Sequence, residues 1–234
     1  MRDALGAFIG AQTNSPVRVT DLRRITVGHS RAMYHVECSD GARYVLRMEQ
    51  GGVFGTSSIE EFGVMRWLHV AGVPVANVRW FEATGATLGQ PFFIMDFIPG
   101  AEGADERSVD EATARSFVRV LLDLHHRPFD ASTGPFAAIP ASPDDATRGQ
   151  IERWGASYRS ASTVPIPLLE EAAAWLHRNA PPLARMTVVH GDAGPGNFVH
   201  GDGAVVAITD WEFAHLATRP RTGCSALRCA GRER

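Results

Sequence analysis

The stretch TVVHGDAGPGNFVHGDGAVVAITDWE, residues Thr187–Glu212, decides how the rest of this chain is interpreted. It opens with the β-branched run Thr187–Val189, which predicts a short buried strand. Two further short strands are predicted over Phe198–His200 and Ala204–Thr209, because the Gly-Asp-Gly between them is typical of a hairpin turn. The stretch is therefore a strand, a loop and a hairpin, which together bring several polar residues toward one edge.

Three of those polar residues suit phosphoryl transfer. Asp192 follows the first strand, Asn197 stands five residues later, and Asp210 ends the hairpin. Phosphoryl transfer requires a positioned hydroxyl, an aspartate that takes its proton, and Mg²⁺ held against the phosphates. Because Mg²⁺ prefers hard oxygen ligands and retains several waters, one Asn and one Asp suffice to hold it. The spacing Asp-x-x-x-x-Asn followed by a second Asp is that of the protein-kinase catalytic loop and its metal-binding aspartate.

The same residues carry a resemblance to a known family. His190-Gly191-Asp192 stands where protein kinases have His-Arg-Asp, and Asp210-Trp211-Glu212 stands where they have Asp-Phe-Gly. In this form the chain resembles the aminoglycoside phosphotransferase and choline kinase-like family, the small-molecule branch of the kinase fold. The resemblance covers residues 20–216. It implies an α+β, protein-kinase-like fold with two lobes: an antiparallel-sheet N-lobe over residues 1–98, which binds nucleotide, and an incomplete, mainly helical C-lobe over residues 99–216.

The resemblance also implies a role for each residue of the motif. Asp192 orients and deprotonates the acceptor hydroxyl, Asn197 and Asp210 hold Mg²⁺, and His190 braces the catalytic loop. The implied reaction moves the γ-phosphate of ATP or GTP to a hydroxyl of a small molecule. Two other interpretations stay open: a catalytically impaired nucleotide-binding remnant (a pseudokinase), and a metal-dependent hydrolase that uses the two His-Gly-Asp tripeptides of this stretch.

Composition excludes several classes of function. All 23 basic residues are arginine, which removes a Gly-Lys-Ser/Thr phosphate-binding loop and any lysine Schiff-base mechanism. The net charge is −3, but five arginines and one glutamate lie from Leu216 onward, so the body of the chain is acidic. This argues against a nucleic-acid partner and would suit a cationic acceptor such as an aminoglycoside. No membrane span is expected, and Ala4–Ala11 is a poor signal peptide, so a first helix and a cytoplasmic location are predicted.

Five antiparallel strands are predicted in the N-lobe, and the resemblance assigns functions to parts of them. The turn Gly28-His29-Ser30 would cover the nucleotide phosphates. Arg47, on the third strand over Arg43–Met48, would take the place of the phosphate-binding lysine; the alternative is an ordinary strand arginine that faces solvent. Glu61, near the start of the next helix, is the candidate partner of that cation and Glu60 the fallback, although acidic residues favour a helix N-terminus in any case.

The segment PFFIMDFIPG, residues Pro91–Gly100, resembles the hinge between the lobes. A buried strand that breaks at Pro-Gly leaves backbone groups available to an adenine edge. The resemblance assigns the contacts to the Asp96 carbonyl and the Ile98 amide, with Met95 behind them. The alternative is an internal strand followed by an ordinary loop.

Apolar residues at near-helical spacing predict three helices in the C-lobe, over Val109–His125, Asp144–Ser160 and Leu168–Asn179. In the resembling family, further helices follow the Asp-Trp-Glu motif. Their absence is expected to expose apolar surface on the Val109–His125 helix and on the hairpin that ends at Trp211 and Phe213.

The residues after Leu216 depart from the family's pattern. Gly-Asp-Pro normally follows there, but residues 217–234 are arginine-rich and lack apolar periodicity. Synonymous codons for this stretch, read in the neighbouring frame, encode Gly-Asp-Pro-Ala-Glu-Asp-Trp-Leu. A one-base deletion is therefore our hypothesis for an aberrant tail over 217–234, which we expect to be disordered.

Overall fold

A computed structural model describes residues 1–25, 31–49, 58–102, 109–127, 129–130, 132, 134–180 and 185–218. Its helices are α1 (Arg2–Thr13), α2 (Ser58–Val70), α3 (Glu111–His126), α4 (Pro143–Ala161) and α5 (Pro167–Asn179). Its strands are β1 (Val19–Ile25), β2 (Arg31–Cys38), β3 (Arg43–Glu49), β4 (Val78–Glu82), β5 (Phe92–Asp96), β6 (Ala101–Glu102), β7 (Met186–Val189), β8 (Phe198–Gly201), β9 (Ala204–Ile208) and β10 (His215–Thr218). A 3-10 turn over Trp211–Phe213 lies between β9 and β10. None of the helices in these ranges is long and apolar enough to cross a membrane.

The predicted antiparallel N-lobe sheet is confirmed. In the described chain it has five strands in the order β1-β2-β3-β5-β4, with every neighbouring pair antiparallel. Successive residues of a strand point to opposite faces. Leu46 of β3 therefore packs into one core with Leu5 and Ile9 of α1, whereas Val45 and Arg47 face α2 and the rest of the molecule. Burying a leucine or isoleucine fully contributes roughly 1.5–3 kcal/mol, so α1 is firmly attached to the sheet.

In the C-lobe, α3 lies across the strands that carry the catalytic stretch. The Asp110 carboxylate caps its N-terminus by accepting a hydrogen bond from the Thr113 amide at 2.7 Å. The buried stripe of α3 includes Phe117 and Leu124 and faces β7 and β9. Phe117 stacks on Phe198, the first residue of β8, at a centroid distance of 4.7 Å. The helix thus fixes the hairpin that follows the catalytic loop.

The chain crosses between the lobes in close contact with that hairpin. Gly100 has φ +152°, and a Cβ atom there would lie 2.5 Å from Val199 Cγ1 and 2.8 Å from the His200 carbonyl oxygen. The next two residues form β6, which pairs antiparallel with β8. A side chain at position 100 would separate the linker from β8, so glycine is required there.

β10 is an element that the sequence did not predict. It pairs antiparallel with β7, from His215 opposite Val189 to Thr218 opposite Met186. β10 therefore includes Ala217 and Thr218, the first two residues of the predicted tail. The remaining residues of the predicted tail, 219–234, lie outside the described ranges.

Part of the C-lobe surface predicted to be exposed is buried. Trp211 is 1% exposed and its indole donates to the Ile208 carbonyl at 3.0 Å, while the stripe of α3 that includes Phe117 and Leu124 packs on β7 and β9. Phe213 is half-buried, and Leu122 of α3 is 43% exposed. For Trp211 and the packed stripe of α3 the prediction was wrong, because it did not allow for α3 packing on these strands. Exposed apolar residues lie around α4 and α5 instead, and none of the α5 residues is buried. They are Trp154, Val164, Ile166, Leu168, Leu169, Trp175 and Leu176.

Candidate active site

A buried ion cluster joins the two lobes at Arg47. This side chain is 5% exposed and donates from Nε to Glu61 Oε2 at 2.9 Å and from Nη2 to Asp210 Oδ1 at 2.5 Å. A third carboxylate, that of Glu212, lies 4.0 Å from Nη2. The structure thus pairs Arg47 with Glu61 of α2, whereas Glu60 is exposed. It excludes the alternative of a strand arginine that faces solvent.

Opposing electrostatic effects act on this guanidinium. Burial alone would lower the pKa of Arg47, but the negative charges of Glu61, Asp210 and Glu212 outweigh it and raise the pKa above its usual value. Arg47 therefore remains a cation. Three carboxylates around one guanidinium carry a formal charge of −2, which favours the binding of a further cation beside them.

His190, whose side chain is buried, organises the loop that is predicted to be catalytic. Its Nε2 donates to the Thr209 carbonyl at 2.8 Å, and its Nδ1 accepts from the Asp192 amide at 3.2 Å. Burial is the largest influence on its pKa and lowers it, so the neutral ring that this pattern requires is favoured. Trp211 packs on the ring at 4.5 Å between centroids. His190 thereby links the loop to the end of β9.

Asp192 and Asn197 are joined directly. The side-chain amide of Asn197 donates to the Asp192 carbonyl at 2.8 Å and to Asp192 Oδ2 at 3.0 Å. The backbone carbonyl of Asn197 in turn accepts a hydrogen bond from the backbone amide of Thr209, the residue before Asp210, at 2.9 Å. These bonds hold Asp192, Asn197 and Asp210 in one unit.

The donor set of this unit fits Mg²⁺. The amide nitrogen of Asn197 is used by Asp192, which leaves its side-chain oxygen for a cation, and Arg47 binds one oxygen of Asp210, which leaves the second. Amide and carboxylate oxygens are the ligands that Mg²⁺ prefers. Asp210 has φ +63°, a left-handed conformation that Asp tolerates better than most residues and that turns the chain sharply after β9.

An apolar core cluster joins the lobes beside the ion cluster. Val45 and Met95 of the sheet are buried in the same cluster as Phe198 and Ile208 of the catalytic hairpin, with Met33 packed against them. Met95 is buried in this cluster, and the contact with adenine that the hinge resemblance assigned near it stays a prediction.

The predicted hinge continues from the end of β5. The Asp96 amide donates to the Asn77 carbonyl at 2.9 Å, and the Phe97 amide donates to the Arg43 carbonyl at 3.3 Å. Ile98 follows the last of these sheet bonds. The Arg79 guanidinium binds the Asp96 carboxylate through two hydrogen bonds of 2.7 and 2.8 Å. The contact with adenine that was predicted for Asp96 involves its backbone carbonyl and not this side chain. The predicted phosphate turn, with Gly28 and Ser30, lies outside the described residues.

This architecture matches a known family. The model of the phosphotransferase enzyme family matches residues 21–219, from β1 to the end of β10. The chain belongs to the phosphotransferase enzyme family. The resemblance inferred from the His-Gly-Asp and Asp-Trp-Glu motifs is thereby confirmed.

Relatives of this phosphotransferase-family chain include long proteins. Acyl-CoA dehydrogenase family member 10 of Mus musculus is 31% identical over 223 residues, which cover 91% of this chain and 20% of the mouse protein. The chain thus spans about a fifth of that relative's length.

Solved structures share the fold. A protein from Ralstonia eutropha JMP134 assigned as an aminoglycoside phosphotransferase is 24% identical with a TM-score of 0.66, over 92% of this chain and 66% of its own. A thermostable mutant of the aminoglycoside phosphotransferase APH(4)-Ia, solved as a ternary complex with AMP-PNP and hygromycin B, is 18% identical with a TM-score of 0.64, over 92% of this chain and 72% of its own. At these identities the comparison establishes the kinase-like fold.

The hydrolase interpretation requires a metal site at the two His-Gly-Asp tripeptides, and the contacts of their described residues do not support one. Both ring nitrogens of His190 are used within the protein, and Asp202 of the second tripeptide is an exposed turn residue with φ +52°. Within the described residues, the group that could hold a metal consists of Asp21, His35 and Glu37, and the Arg23 guanidinium already binds Asp21 at 2.6 Å.

Sequence reasoning missed Glu212 as part of the ion cluster. Glu212 is the last residue of the Asp-Trp-Glu motif, so the sequence did draw attention to it. The direction of its side chain, however, depends on the 3-10 turn over Trp211–Phe213. That turn points the Glu212 carboxylate toward Arg47 and the next side chain, Phe213, toward α4.

Proposed function

We propose that this chain transfers the γ-phosphate of ATP or GTP to a hydroxyl of a small molecule. The observation that carries the proposal is the unit formed by Asp192, Asn197 and Asp210, with Arg47 reaching Asp210 from the N-lobe sheet. Phosphoryl transfer depends on positioning and electrostatic stabilisation, and this arrangement supplies both.

Each residue of the unit has a chemical role in the proposal. Asp192 accepts the proton of the attacking hydroxyl on the carboxylate oxygen that Asn197 does not bind. Mg²⁺, when held by Asn197 and Asp210, would neutralise charge on the phosphates. Arg47 exchanges part of its contact with Asp210 for a phosphate oxygen, and Glu61 keeps its guanidinium in place. The base packs against the apolar residues around Val45 and Met95.

Nucleotide binding is the first test. Addition of ATP or GTP with Mg²⁺ should raise the free energy of unfolding by about 2.7 kcal/mol at a hundredfold excess over Kd. Asp210→Asn should abolish the Mg²⁺-dependent part of this shift and retain the rest. Absence of any shift with both nucleotides would overturn the proposal.

Transfer of ³²P from the γ-position to an acceptor is the second test. The panel should contain hydroxylated acyl-CoA thioesters, because the mouse relative carries an acyl-CoA dehydrogenase name, and hygromycin B, which APH(4)-Ia binds. Macrolides, choline, homoserine and sugars complete the panel of acceptors. Labelled product that depends on Asp192 is the expected result.

A nucleotide-binding protein without transfer activity is the second candidate. It is favoured by the arginine that replaces the usual lysine and by the ion pair between Arg47 and Asp210, which places a guanidinium against a predicted metal ligand. A thermal shift with nucleotide and no transfer to any acceptor in the panel would favour this candidate.

A further inference from the structure

Helix α2 carries a second row of contacts besides the ion pair between Glu61 and Arg47. The row consists of Gly63, Trp67 and Ala71, which are spaced by four residues and therefore follow one another along one side of the helix. At about 100° per residue, Gly63 lies roughly 200° around the helix from Glu61. A contact at Gly63 therefore acts on α2 from the side nearly opposite the ion pair.

The segment that follows α3 in the C-lobe packs against the first two residues of this row. Pro135 lies beside Gly63, where a Cβ atom would be 3.5 Å from the Pro135 Cβ and 3.7 Å from its carbonyl oxygen. The Phe129 ring lies 6.0 Å from the Trp67 ring between centroids. Both rings are half-buried and pack against the core cluster that joins the lobes.

The same segment is bound to the C-terminal end of α2. Arg127, which directly follows α3, donates a hydrogen bond from Nη1 to the Ala71 carbonyl. The Ala71 amide still donates to the Trp67 carbonyl at 2.9 Å, so Ala71 continues the last turn of α2. One C-lobe segment thus contacts this side of α2 near its start, in its middle and at its end.

The position of Phe129 is fixed within its own segment. Its ring lies 6.1 Å from the Phe136 ring, and a Cβ atom at Gly134 would lie 2.3 Å from Phe129 Cζ. A larger residue at position 134 would therefore displace the ring. We call the contacting residues of this segment the strap; they are Arg127, Phe129, Pro135 and Phe136.

The strap opposes the movement that would separate Glu61 from Arg47. Glu61 donates no covalent link to the sheet, and its carboxylate reaches Arg47 Nε at 2.9 Å only while α2 stays in place. A retreat of α2 from Arg47 would move Gly63 toward Pro135, which already lies against it. Because protein interiors are close-packed, α2 cannot retreat unless the strap moves as well.

We propose that Phe129 and Pro135 of the strap, together with Trp67, are positioning residues that hold α2 where Glu61 reaches Arg47. The ion pair in turn keeps the Arg47 guanidinium in place for the phosphates of a nucleotide, a consequence that rests on the proposed function. The lobes are thus joined at the ion cluster and at the strap, and loss of the strap weakens the ion pair.

The test asks whether the strap changes the contribution of Glu61 to stability. The loss of unfolding free energy caused by Glu61→Gln is measured by urea titration in the wild type, in Phe129→Ala and in Phe8→Ala. Phe8 is the matched control, because it is also a half-buried phenylalanine with a ring neighbour, Phe92 at 5.1 Å, but lies on the other face of the sheet. We expect the loss to fall to about half in Phe129→Ala and to stay unchanged in Phe8→Ala.

A second variant displaces the strap without removing apolar surface. Gly134→Ala pushes the Phe129 ring from its place and should also reduce the loss caused by Glu61→Gln, so the result does not depend on the folding of Phe129→Ala alone. An unchanged loss in both strap variants would overturn the proposal, because Phe129 would then be an ordinary core residue whose effect adds to that of Glu61. An equal reduction in Phe8→Ala would overturn it too.

Nucleotide affinity provides a second readout. Calorimetric titration with AMP-PNP and Mg²⁺ should give a Kd about tenfold higher in Phe129→Ala than in the wild type, and within about twofold of the wild type in Phe8→Ala. In the Glu61→Gln protein, Phe129→Ala should add no further loss; an equal weakening with and without Glu61 would contradict the proposal. Failure of AMP-PNP to bind the wild type would remove the proposed function, whereas the urea titrations would still decide whether the strap positions Glu61.

Discussion

The ion cluster around Arg47 and the helix pair α4–α5 differ in how deeply their side chains are buried. In the cluster, β3, α2 and the turn after β9 each contribute a charged residue, and Arg47, Glu61 and Glu212 are all buried. In the helix pair, α5 buries no residue and leaves Leu168 and Trp175 more than half exposed. The chemical groups of the proposed reaction lie where packing fixes them, and the apolar surface that remains open lies on α4 and α5.

The largest expected effect on stability comes from removing the cation of the cluster. Arg47→Met leaves Glu61, Asp210 and Glu212 close together in a buried site without their guanidinium, and breaking a buried pair in this way costs about 3–5 kcal/mol. Urea titration at neutral pH measures the change. The loss should shrink as the pH is lowered toward 5, because protonation removes the uncompensated charge.

Arg115→Met is the matched control for that experiment. Arg115 pairs with Glu111 at 2.5 Å on the surface of α3, with 73% and 77% of the two side chains exposed. An exposed pair at this helical spacing contributes at most about 0.5 kcal/mol. Similar losses for the two substitutions would mean that Arg47 is not in a buried cluster.

The next effect compares the loss of stability at a buried leucine of α3 with that at an exposed leucine of α5. Leu124→Ala in α3 removes a side chain that is 1% exposed and should cost about 2–5 kcal/mol, because a cavity is left between α3 and the catalytic strands. Leu168→Ala in α5, where the side chain is 73% exposed, should cost less than about 0.5 kcal/mol. Urea titration of both variants measures the difference, and a large loss for Leu168→Ala would show that another part of the molecule covers α5.

The smallest effect is a dependence of stability on pH. Burial lowers the pKa of His215 in the folded state, so only the unfolded chain takes up this proton as the pH falls below about 6.5. Its contribution to stability is complete above that pH and is lost as the pH falls toward the folded pKa. His215→Gln should therefore reduce the slope of unfolding free energy between pH 7.5 and about 5.5. The exposed residue His69 supplies the control substitution His69→Gln, and an equal slope change in both variants would contradict the expectation.

Local sequence patterns were sufficient to predict the elements that position the site. Alternation and turn residues predicted the strands from β1 to β5, and the strand, loop and hairpin of residues 187–212 were predicted to bring Asp192, Asn197 and Asp210 toward one edge. The pairing of Arg47 with Glu61 was predicted from the resemblance, and the ion pair agrees with it. These features depend on short-range geometry or on a recurrent motif.

Features that depend on distant packing were not predicted. β10 requires β7 as a partner, and although Thr187–Val189 was predicted as a strand, nothing in the residues of β10 itself predicted one. The contact of Trp154 with Phe213 joins a helix to a turn that lies far along the chain. The expected exposure of Trp211 was wrong for the same reason, since its burial involves His190, Ile208 and helix α2, which is distant in sequence and packs on the 3-10 turn.

The central claim is that Asp192 acts as the base in phosphoryl transfer. The most direct measurement is the rate of γ-phosphate transfer by Asp192→Asn, with Asp202→Asn as the control at the corresponding position of the second His-Gly-Asp tripeptide. We expect Asp192→Asn to lose about 10²–10⁴ of the rate while its nucleotide Kd is unchanged, and Asp202→Asn, at an exposed turn, to retain the wild-type rate. Full transfer activity in Asp192→Asn, or equal losses in the two variants, would contradict the account.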